Sequence, residues 1–198
     1  LDAFLNTHPV EVSVRHHSEI GEIFDAVSYS KGASIIKMIA HHIGEKTFRN
    51  GLRRYLKEFS YKNASTEDLW NTLENESKKP IRSLMKPWTS KDGYPLIKIS
   101  EEGDTIVLKQ SRFFSNPISK IHAHDETLWP TPISFKTKNG KQGSVLLEKK
   151  CHKFKKTFRH WIKVNAEEMS FFRTGYSPSL LSNLHIPILS KELSTIDR

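Results

Sequence analysis

The reading turns on the stretch Trp88-Thr89-Ser90-Lys91-Asp92-Gly93-Tyr94-Pro95-Leu96-Ile97-Lys98-Ile99. Before it, apolar residues recur every three to four positions, the period of a helix with one buried face. After it they alternate, the period of a strand. Gly93 and Pro95 punctuate the change, one by its backbone freedom and the other by its missing N–H.

Working back from that break, Pro80 precedes Ile81, Leu84, Met85 and Trp88, a short helix that Pro87 is expected to end early. Ser65-Thr66-Glu67-Asp68 reads as a helix start, with Ser65 and Asp68 spaced as a capping box ahead of Leu69, Trp70 and Leu73. Phe48, Leu52, Tyr55, Leu56 and Phe59 give another helix its apolar face, opposite Arg49, Arg53, Arg54 and Lys57. Ile35, Ile39 and Ile43, widened by Ile36 and Met38, mark a further helix that Gly44 closes.

Working forward, Leu96, Ile97 and Ile99 form one strand and residues 105–108 another, joined through Glu101-Glu102-Gly103-Asp104. Residues 133–137 and 144–147 flank Asn139-Gly140, a hairpin signal. Residues 161–164 and 171–174 read as two more strands. From Ser179 the helical period returns with Leu180, Leu181 and Leu184. The expected class is α+β, with a helical unit over 1–95, a small β-sandwich over 96–178 and the start of a helical domain over 179–198.

Composition removes several classes. The 198 residues are 36% hydrophobic and 10% aromatic, too apolar for a disordered tail. No run approaches the roughly 18 apolar residues of a spanning helix, and the N-terminus lacks the pattern of a secretory signal. The chain starts at Leu1 without an initiator Met, as a piece of something longer would. Its formal charge of +9 is uneven: residues 1–95 carry 14 basic against 12 acidic side chains, and residues 96–198 carry 17 against 10. Seven Lys or Arg fall between Lys149 and Lys163 without an acid. Cys151 is the single cysteine, which rules out an internal disulfide framework and favours a reducing, cytoplasmic setting.

Ten histidines invite a search for a metal site. The neighbours in His16-His17 and His41-His42 leave a helix on different sides, so neither pair chelates one ion. His122 and His124 could share a strand face near Asp125. No H-E-x-x-H, G-x-S-x-G, P-loop or G-x-G-x-x-G is present, and the chain supplies no metal ligands of its own. Cys151 lacks a positioned base, because His152, next along a strand, points the other way. The basic run interleaves Phe154 and Phe158 with its charges, so a nucleic-acid surface is one reading and a solvated loop and hairpin the favoured one. No nucleic-acid partner is expected.

The stretch Glu22-Ile23-Phe24-Asp25-Ala26-Val27-Ser28-Tyr29-Ser30-Lys31-Gly32-Ala33-Ser34-Ile35-Ile36-Lys37-Met38-Ile39 resembles the gluzincin zinc aminopeptidases, of the alanyl/puromycin-sensitive type. The similarity continues through 63–70, 88–95, 129–133, 161–165, 171–177 and 193–198. The resemblance implies the C-terminal helical part of a thermolysin-like catalytic domain, then the sandwich, then the first helix of a superhelix. It implies a zinc metallo-aminopeptidase acting on peptides, with Tyr29 matching the catalytic tyrosine and Phe24 lining the pocket for the substrate's first side chain. Asp25 and Lys31 would support them. A phenol suits that role: with an ordinary pKa of about 10 it stays a neutral O–H donor to an oxyanion. In the family the zinc-binding H-E-x-x-H, a further Glu ligand and a Gly-x-Met-x-Asn segment precede the residue corresponding to Leu1. The Zn²⁺ ligands therefore lie outside this sequence, and the chain alone is expected to be inactive. Phe172 stands where the family usually has Tyr. The alternative is a non-catalytic truncated interaction module. Oligomeric state is not legible.

Overall fold

The computed structural model describes residues 2–116, 118, 125–138 and 142–198. They fall into two compact units: Pro9–Asp92, and Leu1–His8 together with Gly93–Arg198. His122, His124 and the Asn139-Gly140 hairpin signal lie outside the described residues.

The first unit holds α1 (Gly32–Ile43), α2 (Glu45–Glu58), α3 (Thr66–Ser77) and α4 (Ile81–Ser90), preceded by a 3-10 turn at His17–Ile23 and a π turn at Val27–Lys31. In α1 the expected stripe is buried: Ile35, Met38, Ile39 and Ile43. Gly44, at φ 90°, closes it with its N–H on the Ala40 carbonyl, a backbone angle that favours glycine. Ser65 caps α3 through a complete capping box with Asp68, and those hydrogen bonds from Ser65 hold the Asp68 carboxyl below its usual range.

Two expectations need correction here. Leu56 is not part of the buried face of α2; it is 66% exposed. At about 100° per residue, Phe48, Leu52, Tyr55 and Phe59 lie within one narrow arc, with Gly51 on one flank and Leu56 on the other. The helix turns its Gly51 flank inward, where the backbone packs against Leu73, and Leu56 rotates out. Pro87 does not end α4, which runs on to Ser90. Pro87 removes one donor, but its own carbonyl accepts from Lys91 N, and Trp88 and Thr89 beyond it are buried. Burial of those side chains outweighs the cost of roughly 3 kcal/mol for an interior proline.

In the second unit, β1 (Pro95–Glu102) and β2 (Thr105–Arg112) form an antiparallel hairpin closed at Glu102 and Thr105. Gly103 in the connection has φ 58°. The other strands are β3 (Thr131–Thr137), β4 (Gln142–Leu147), β5 (Cys151–Lys155), β6 (Ile162–Val164) and β7 (Arg173–Tyr176). They make a four-stranded sheet in the order β5-β2-β1-β7 and a three-stranded sheet in the order β4-β3-β6. Ile97, Ile99, Ile106 and Leu108 from the first sheet and Ile133, Leu147, Ile162 and Val164 from the second belong to one buried cluster.

Part of the basic run is strand: Cys151–Lys155 is β5, paired antiparallel with β2 at the sheet edge, while residues 156–161 are loop. Exposed lysines on an edge strand discourage pairing with another chain. The last predicted strand sits two residues further on, as β7, which runs parallel to β1. Its Tyr176 hydroxyl accepts from Val164 N at 2.7 Å, and burial pushes that phenol up to about 12. Two short helices, α5 (Pro178–Asn183) and α6 (His185–Leu189), complete the chain. Leu180 joins the sheet cluster, and Leu184 and Leu193 pack with Trp161.

Candidate functional site

The motif around Tyr29 is built by the turn of chain that leads into α1. The Asp25 carboxylate accepts from the N–H groups of Val27 at 3.0 Å and Ser28 at 2.9 Å. It thereby satisfies two of the donors that a helix start leaves unpaired. Asp25 also takes the Tyr29 N–H on its carbonyl at 3.1 Å. Val27 and Lys31, four residues apart, face inward at 3% and 2% exposure. Tyr29, midway between them, must then face out, and it is 62% exposed. Residues Val27–Lys31 form a π turn, a rare local widening that is frequent at functional sites. Nothing in the residue pattern signals that turn, because it follows from backbone hydrogen bonding and not from periodicity.

Phe24 is 64% exposed, and its ring lies 5.9 Å from that of Tyr29. The two expected side chains are thus brought together, an apolar ring beside a phenol O–H, both open to an incoming ligand. Asp25 acts on the backbone that carries Tyr29. Lys31 goes elsewhere: its ammonium donates to the Lys91 carbonyl at 3.2 Å. Lys91 is the C-cap of α4, where a cation also suits the helix dipole. Lys31 therefore ties the start of α1 to the end of α4.

Among the described residues, Cys151, Asp125 and His42 form no second catalytic cluster. Cys151 is exposed while His152 is half-buried on the other face of β5, so no nucleophile–base pair arises. Asp125 pairs with Arg112 at 2.8 Å; burial raises its carboxyl, but hydrogen bonds from Thr127 and Arg112 outweigh it and leave it below its usual value. His42 is pushed down to about 4 by burial, with Lys79 and His41 adding to the effect. Among the described residues no group of three or more His, Cys, Asp and Glu is placed to hold a metal ion.

Residues 1–88 match the model of the peptidase family M1 domain. The chain is 42% identical over 178 residues to aminopeptidase 2, mitochondrial, of Saccharomyces cerevisiae, a match covering 89% of this chain and 19% of that protein.

The chain belongs to peptidase family M1.

It is also 37% identical over 208 residues to aminopeptidase M1-C of Oryza sativa subsp. japonica, covering 100% of this chain and 23% of that protein. The tricorn protease-interacting factor F2 of Thermoplasma volcanium is 41% identical over 175 residues, covering 88% of this chain and 21% of that protein. This M1 chain spans about a fifth of the length of the curated relatives it matches.

Proposed function

We propose that the chain is part of a zinc aminopeptidase that releases N-terminal residues from peptides, and that Tyr29 is its transition-state donor. The observation that carries this is the exposed phenol on the Asp25-capped π turn, with Phe24 beside it, inside the segment that matches the M1 model. Two of the three relatives described above are named aminopeptidases. The residues of this chain do not by themselves fit a zinc ion, since the required donor cluster is missing among the described residues and the sequence contains no H-E-x-x-H. In this reading the zinc ligands and the general base come from outside these 198 residues.

Within that enzyme the Tyr29 O–H donates to the peptide carbonyl oxygen as the carbon becomes tetrahedral and negative charge gathers on the oxygen. A donor aimed at developing charge is worth about 2.7–4 kcal/mol of barrier. Phe24 offers its ring to the first side chain of the peptide. Residues 1–95 supply this part of the catalytic domain, 96–178 a β-sandwich, and 179–198 the first turns of a helical domain. The exposed thiol of Cys151 suits a reducing compartment, and we place the enzyme in the cytoplasm.

The test is Tyr29→Phe in the complete, zinc-loaded enzyme, assayed on an aminoacyl fluorogenic substrate. kcat should fall about 100- to 1,000-fold with KM nearly unchanged. An unchanged kcat removes Tyr29 from the mechanism. The 198-residue chain, given zinc, should not turn the substrate over.

A further inference from the structure

The basic run is divided by what its charges face. Lys150 pairs with Glu126, Lys153 with Glu102, Lys156 with Glu101 and Lys163 with Asp197. Its aromatic residues are engaged too. The Phe154 ring stacks on Phe135 at 5.5 Å with the planes 12° apart, and Phe158 packs on the sheet cluster beneath Lys156. Among the described residues Lys149 and Lys155 form no ion pair, but a single-stranded nucleic acid also needs free stacking faces along its track, and Phe154 and Phe158 are both packed.

Arg159 and His160 likewise form no ion pair among the described residues, and they border a cavity of about 460 Å³ together with Lys138, just after β3, and His185 at the start of α6. Trp161, 4% exposed, also lines it and is fixed against Leu184 and Leu193. Trp161 thereby anchors the floor beside Arg159 and His160, its exposed neighbours in the chain. Of the acids among the described lining residues, there is only Glu192, which accepts from the Ser190 hydroxyl at 3.3 Å.

We infer that this cavity binds a small polyvalent oxyanion of the phosphate class. The guanidinium of Arg159 presents a planar fork that matches two phosphate oxygens, and Lys138 adds a mobile point charge. The imidazoles of His160 and His185, also among the lining residues, add ring N–H donors. The volume exceeds that of one phosphate and suits a chain of two or three linked phosphoryl groups.

Isothermal titration of the 198-residue chain with inorganic tripolyphosphate at low salt tests this. One-to-one saturable binding is expected. Lys138→Gln and Arg159→Gln should each weaken it about tenfold, as expected for losing one charge-assisted contact. Glu192→Gln should tighten it several-fold. Lys155→Gln, exposed on β5 and outside the cavity, should change it less than twofold. Should Arg159→Gln alter the thermal melt, Lys138→Gln and Glu192→Gln decide the matter, since both side chains are exposed at the surface. No saturable heat at millimolar tripolyphosphate, equal weakening by Lys155→Gln, or tighter binding of a single-stranded oligothymidylate than of tripolyphosphate would each overturn the site.

Discussion

Gly51→Ala sets two physical effects against each other on one helix. Helix propensity alone favours alanine in the interior of α2 by about 1 kcal/mol. Packing opposes it. A Cβ built on Gly51 would lie 2.6 Å from Leu73 Cδ2 and 3.7 Å from both Leu73 Cα and Leu73 Cγ. Unstrained carbon contacts sit at about 3.5–4.0 Å, so the Leu73 methyl must retreat by about 1 Å. Leu73 is fully buried, and a side chain in a packed interior retreats only by leaving its rotamer or moving its neighbours. Overpacking of that kind costs about 1–3 kcal/mol. Taking about 2 for the clash and 1 for the propensity gain, the substitution should destabilise the helical unit by about 1 kcal/mol, a fall of about 4–8 °C in Tm for a unit of this size. Urea unfolding followed by helical circular dichroism measures it. The decisive arm is the cycle with Leu73→Ala, which itself costs about 2–5 kcal/mol. With the Leu73 methyls gone, Gly51→Ala should turn stabilising by about 1 kcal/mol, a coupling of about 2. If Gly51→Ala stabilises equally in both backgrounds, the close approach of α2 and α3 at this point is wrong.

Asp25→Ala removes the oxygen that accepts from Val27 N and Ser28 N; the unit should lose about 1 kcal/mol, and kcat of the complete enzyme should fall while Asp25→Ser, which keeps a capping oxygen, restores most of both. Loss of kcat in Asp25→Ala with no recovery in Asp25→Ser would show that Asp25 does more than position Tyr29. His42 falls from its ordinary 6.5 to about 4 in the folded chain, so the folded state prefers the neutral ring. Its stabilising contribution is complete above pH 6.5 and is lost as pH falls from 6.5 toward 4. By pH 5 the loss is about 2 kcal/mol as a ceiling, or about 1 after allowing for water at the partly exposed ring. Urea midpoints at pH 7.5 and 5.0 should therefore differ less in His42→Asn than in the parent chain, and an identical pH dependence in the two would sink the assignment.

The helices with strong stripes were legible because burial follows the 3.6-residue period directly: Ile35, Ile39 and Ile43 are all inside. The Ser65 cap was equally legible, since a capping box needs only residues three apart. Leu56 and Pro87 were not, because each depends on a neighbour distant in sequence. Leu56 faces out because Gly51 admits Leu73, and α4 passes Pro87 because Trp88 is held in the core. The edge position of β5 was also hidden, because pairing with β2 joins residues about 45 positions apart.

Sequence by itself determined the change from helix to strand at Gly93-Tyr94-Pro95 and singled out Tyr29 and Phe24 by their motif. Both are local properties, carried by backbone freedom and residue order. Only the tertiary structure decided that Tyr29 stands exposed on a π turn beside Phe24 and that the Lys31 ammonium turns away to the Lys91 carbonyl. It also decided that Arg159 borders a cavity with Lys138 and His185. Those facts rest on which distant segments pack together, and packing is a many-body balance that no short stretch of sequence carries alone.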